Sequence, residues 1–77
     1  MAAIVYFNRI AEGADSVQYV FGDDPQTMTR TLTVDKGSRR SASGDGKADY
    51  EFLKASRKIN AKFAESGSWP ERGMSVS

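Results

Sequence analysis

Three groupings in this chain have residue types suited to chemistry: Gly44-Asp45-Gly46-Lys47, the carboxylates Asp45, Asp49 and Glu51, and the pair Asp23-Asp24. The first stands after a strand-like segment and before a helix-like one, where a phosphate loop would be. Such a loop needs a glycine five positions before Gly46 and a hydroxyl residue after the lysine, to surround the phosphates and their magnesium. Ser41 and Ala48 stand there instead, so the glycines read as a linker, with weak anion holding by helix amides at most. The acidic trio lacks the alternate spacing and distal bidentate glutamate of a calcium loop, because Lys47 and Ala48 interrupt it. Asp23-Asp24 precedes Pro25 and reads as a turn, since nothing beside the pair would drive their pKa values apart.

Other chemistry is constrained by what the sequence omits. It contains no histidine and no cysteine. The commonest acid–base group at neutral pH, the thiol nucleophile and the usual zinc ligands are therefore missing. The expectation is a protein that is not an enzyme and holds no metal or cofactor. At 77 residues the chain allows one domain with one small core. Without disulfides or metal, the familiar remaining support for so small a core is a partner chain. Lack of cysteine suits a reducing compartment. No basic region followed by an apolar run marks a signal peptide, and no segment reaches the ~20 apolar residues of a membrane span. These features read together as a soluble, cytoplasmic protein.

Charge is nearly balanced, at +1, but unevenly placed. Residues 1–35 carry two basic and five acidic side chains, a net of −3, and residues 36–77 carry nine and five, a net of +4. Eight cations crowd the stretch 36–62: Lys36, Arg39, Arg40 and Lys47, then Lys54, Arg57, Lys58 and Lys62. They are the candidate nucleic-acid contacts, able to meet phosphates while Tyr50 stacks on a base. The bland reading of the same residues is a basic loop followed by a solvated helix face. The negative first half opposes a sheet that would enter a groove of DNA.

The elements that would position these groups can be read from pattern. Residues 4–11, 16–22 and 27–35 are rich in β-branched and aromatic residues, and the third alternates threonine with larger side chains. Asp23-Asp24-Pro25-Gln26 is a turn with proline at its second corner. Short connections predict an antiparallel meander. Pairing Gly22 with Thr27 and Ala11 with Ser16 gathers Ile4, Tyr6, Ile10, Val17, Tyr19, Phe21, Met28, Leu32 and Val34 on one face. Val5, Phe7 and Val20 fall on the other with Arg9, Gln18 and the threonines; a one-residue bulge would exchange part of these sets. Residues 36–48 have no apolar side chain larger than alanine and read as a flexible basic loop. Asp49 then caps a helix over 50–66 with Phe52, Leu53, Ser56, Ile59, Asn60 and Phe63 on one face and Gly67 ending it.

The fold expected is α+β: a three-stranded antiparallel meander with one C-terminal helix packed on one face (βββα). It occupies residues 1–67, and residues 68–77 form an irregular tail. Trp69 packs over the helix end or the sheet rim, or with Pro70 anchors a partner. One helix covers one sheet face, so Val5, Phe7 and Val20 remain as an uncovered apolar patch, and with Trp69 they are the candidate protein interface. The function expected is a non-catalytic interaction or regulatory module that associates with a second copy of itself or another protein. The alternative is a minor nucleic-acid binder using residues 36–47 and the basic helix face.

Overall fold

The computed structural model describes residues 4–76. Its elements run β1 (Ile4–Glu12), β2 (Ser16–Gly22), β3 (Arg30–Asp35), β4 (Ser41–Ser43), α1 (Tyr50–Ser66) and β5 (Arg72–Val76). The class is α+β, but the sheet has five strands, not three, in the order β4-β3-β2-β1-β5, all antiparallel. The two extra strands lie in segments expected to be loop and tail. β4 has no large apolar side chain and is held by backbone bonds: Asp35 donates to the Arg40 carbonyl (2.8 Å) and Gly44 to that of Thr31 (2.8 Å). Such bonds leave little imprint on a side-chain pattern. β5 is a short strand that completes the sheet beyond β1. Both expected sheet edges are therefore covered.

The register explains a larger correction. A bulge between Arg9 and Ala11 separates the pair Ala11–Gln18 from the pair Arg9–Tyr19. Glu12 keeps the side expected of its parity, while every residue before the bulge changes face. Val5, Phe7 and Arg9 now share the helix-side ladder with Tyr19 and Phe21, and Ile4, Tyr6 and Asn8 share the other. Between β2 and β3 the slip is two residues: Val17 pairs with Val34 and Tyr19 with Leu32. An even slip preserves parity, so Leu32 and Val34 face the core as expected. The Pro25 turn forms, with Thr27 donating to the Asp24 carbonyl (3.1 Å) and Gln26 to the Asp24 carboxylate (2.9 Å).

The helix has the expected limits. Asp49 caps it by accepting from the Phe52 amide (3.0 Å), and Gly67, at φ 79°, donates back to the Phe63 carbonyl (2.7 Å). That left-handed conformation favours glycine over any residue with a Cβ. Phe52, Ala55 and Ile59 lie one turn apart and meet Val5, Phe7, Val17, Tyr19, Phe21, Leu32 and Val34 in a single core, with Phe63 packed at its margin. Trp69 closes the helix end, its ring stacked on Phe63 at 4.2 Å between centroids. Leu53, expected on the buried face, is exposed, whereas Lys54, expected in solvent, is 8% exposed with its ammonium 5.4 Å from the Tyr50 ring centre.

Candidate association surface

The four residues expected at a protein interface separate. Val5 (4% exposed), Phe7 (1%) and Trp69 (8%) are buried in the core. The bulge turns the first two under the helix, and Trp69 adopts the helix-end packing rather than standing out as an anchor. Val20 alone stays on the side of the sheet away from the helix, pairing with Asn8 and Thr31. An uncovered apolar face nevertheless exists, carried by the residues that the bulge exchanged. Ile4 pairs with Val76, and Tyr6 with Met74. Met74 and Val76 are 48% and 59% exposed. A bulge leaves no strong sequence signal here. The alternation of the tail Arg72–Val76 was the readable hint that this face extends over another strand.

Charge is nearly absent from the open face. Across its ladders stand Ile4, Tyr6, Asn8, Gln18, Val20, Thr31, Thr33, Ala42, Met74 and Val76. Arg72 lies at one margin and Asp35 at the opposite one. The Asp35 carboxylate accepts from the amides of Gly37 and Ser38 (both 2.9 Å), which hold it below its ordinary pKa. Near one end the connection 23–29 rises over the face and sets Met28 against Gly22, where a Cβ would lie 3.3 Å from the Met28 Cα. Between this wall and β5 runs a groove of about 300 Å³ lined by Tyr6, Asn8, Pro25, Met28, Arg72, Gly73 and Met74.

The acidic trio, in contrast, is occupied from within. Arg30 donates from Nε to Asp45 (2.9 Å), from Nη1 to Asp49 (2.9 and 3.0 Å) and Glu51 (3.3 Å), and from Nη2 to Asp45 (3.2 Å) and the Lys47 carbonyl (3.2 Å). Its guanidinium also lies 4.7 Å from the Phe21 ring centre. The Asp45 carboxyl sits well below the usual carboxylate range, held there by Arg30 first and by Ser43 and the Lys47 amide next. Asp49 is lowered by the Phe52 amide and Arg30. Arg30 was readable as the one charge in the core-facing parity of Met28, Leu32 and Val34, a position that demands counter-charges. Among the described residues, no group of three histidine, cysteine or acidic side chains is placed to hold a metal ion.

The basic candidates are scattered in role. Lys36 donates to Glu12 (2.7 Å) and lowers its pKa. Arg39, at φ 63°, lays its guanidinium 4.5 Å from the Phe63 ring centre. Lys47 is exposed beside the Arg30 cluster, and Lys54 is buried along the helix. Arg40, Arg57 and Lys62 are exposed, Lys58 half-buried, and these four form no ion pair among the described residues. None of the eight stands in the ladders of the open sheet face, and Arg40 lies beside Asp35 at its margin, the Asp35 amide donating to the Arg40 carbonyl (2.8 Å). No described helix is long and apolar enough to cross a membrane. Comparison with protein-family models, curated proteins and solved structures returned no match.

Proposed function

We propose that the protein is a non-catalytic association module, and that its open sheet face docks a second copy of the same chain. The observation that carries this reading is the neutral, partly apolar face formed by Ile4, Tyr6, Val20, Met74 and Val76. A surface of one sign repels its own copy, whereas a neutral one with Arg72 and Asp35 at opposite margins does not. Two-fold packing of such faces would add to a core that is small for an isolated chain. The non-catalytic part rests on the missing histidine and cysteine and on carboxylates already engaged by Arg30 and backbone amides. Such a module suits the cytoplasm, where nothing would require disulfides.

Light scattering coupled to size-exclusion chromatography tests the proposal. The expected result is a mass that rises to that of a dimer with protein concentration, is insensitive to salt, and stays monomeric in Val20→Lys. A monomer at all concentrations up to about 1 mM, a weak affinity by the usual scale, overturns it. The unpaired cations Arg40, Arg57, Lys58 and Lys62 support a second reading, in which the helix side binds nucleic acid. A monomer that moves onto a short duplex at low salt, and leaves it at high salt or on replacing those four by alanine, would establish that reading instead.

A further inference from the structure

We propose that the groove between the 23–29 connection and β5 is a binding site for an apolar group that bears a carboxylate. The groove has the make-up of a ligand site. Tyr6, Pro25, Met28 and Met74 give it apolar walls, and Asn8 and Arg72 are its polar side chains. Small-molecule sites commonly combine such a lining with a few polar groups that fix orientation. Its volume of about 300 Å³ is roughly twice that of a cavity that accommodates benzene, enough for one ring and a short chain.

Charge selects the ligand. Arg72 is the one ionisable cation of the lining, and among the described residues its guanidinium makes no hydrogen bond or ion pair. Arg9 and Arg30, by comparison, are each spent on internal acceptors. A guanidinium presents paired donors that match a carboxylate. Asp23 and Asp24 stand on the same connection, but neither lines the groove. The carboxylate could be that of a free small acid or that of a peptide C-terminus. The chemistry recognised is the same.

The site is tested by two-dimensional amide NMR titration with 4-phenylbutyrate, its neutral amide, and the tripeptide Gly-Gly-Phe with a free or an amidated C-terminus. For about twelve heavy atoms the expected dissociation constant is about 1 mM, with saturable shifts at Asn8, Arg72, Gly73 and Met74. The amide should bind about 10-fold more weakly, as should the acid to Arg72→Met, which keeps an apolar stem but loses the charged hydrogen bonds. Tighter binding of the free-acid tripeptide than of 4-phenylbutyrate supports the site and names a peptide end as its source; the reverse order supports a free acid. Acid and amide binding alike, or no saturable shift at those residues by about 10 mM in both the unaltered chain and Thr33→Lys, overturns the proposal.

The same titration on Thr33→Lys separates this site from self-association. That substitution puts a charge on the open face at a position that does not line the groove. Binding to Thr33→Lys alone supports the site and identifies a second copy as its cover in the unaltered protein. Failure in both chains overturns the site and leaves self-association, read independently from mass, where it stood.

Discussion

Single side chains decide several properties of this molecule. Gly73 lies beneath the Phe7 ring, where an added Cβ would come within 2.8 Å of Phe7 Cζ. Phe7 is 1% exposed and packs 5.7 Å from the Tyr19 ring, so it has little room to withdraw. Gly73→Ala should cost about 1–3 kcal/mol, the usual range for overpacking, seen as a lower urea midpoint with an unchanged slope. Tyr19 is the buried hydroxyl of the same cluster and donates to the Pro70 carbonyl at 2.6 Å. Burial, the main cause, pushes its pKa up to about 12 from an ordinary 10.0. A raised folded pKa means that the unfolded chain gives up the proton more readily. The associated stability is complete below pH 10 and is lost as pH rises towards 12. Tyr19→Phe should flatten this alkaline decline, measured by urea midpoints across that interval, while losing about 1 kcal/mol at neutral pH with the hydrogen bond.

Between elements, Arg30 is the main polar tie. It joins the start of β3 to the connection that leads into α1, through Asp45, Asp49, Glu51 and the Lys47 carbonyl. Asp45 and Asp49 are both held below their ordinary 3.8. Lowered folded pKa values mean that the unfolded chain binds more protons. Stability from this cluster is therefore present above about pH 4 and disappears as the pH falls through the lowered values. Arg30→Gln should reduce stability at neutral pH and make the acid decline shallower, read from urea midpoints at successive pH values. A decline as steep as in the unaltered chain would show that other carboxylates carry the acid sensitivity. The same cluster gives residues 36–48 an anchor that composition did not reveal, because side-chain hydrogen bonds, rather than apolar burial, do the tying.

At the scale of the whole molecule, the C-terminal segment is part of the core. It supplies Trp69 against Phe63, the Pro70 carbonyl for Tyr19, the Trp69 carbonyl for Arg9 (3.1 Å) and strand β5 beside β1. Ending the chain at Gly67 would uncover Phe7 and the β1 edge together, and unpaired edges invite aggregation. The expected outcome is loss of the cooperative thermal transition in circular dichroism. A truncated chain that melts cooperatively at the same temperature would remove β5 from the folding unit. With the tail in place, charge concentrates on the helix side and the rims, and the opposite sheet face is left neutral. That segregation is why association and nucleic-acid binding make separate demands on this chain.

How far this was legible follows from which interactions are local. The helix limits from Asp49 to Gly67, its buried positions Phe52, Ser56 and Ile59 with Phe63 at their margin, the Pro25 turn and three strands, the third beginning at Arg30 rather than Thr27, could be read directly. Caps, turns and periodicity act within a few residues of one another. The absence of histidine and cysteine, and with it the narrowed range of chemistry, also belongs to the sequence by itself. Tertiary structure decided the rest. One extra residue near Ile10 moved Val5 and Phe7 from the surface to the core and brought Ile4 and Tyr6 out in exchange. Period-two patterning cannot distinguish the faces of a strand whose both sets are apolar, so the answer came from the partner strand. β4 arises by backbone pairing with the neighbouring β3, without a side-chain pattern of its own, and the alternation of β5 does not say that its partner is the distant β1. The open face, its groove and the lone guanidinium of Arg72 exist only once those pairings are made.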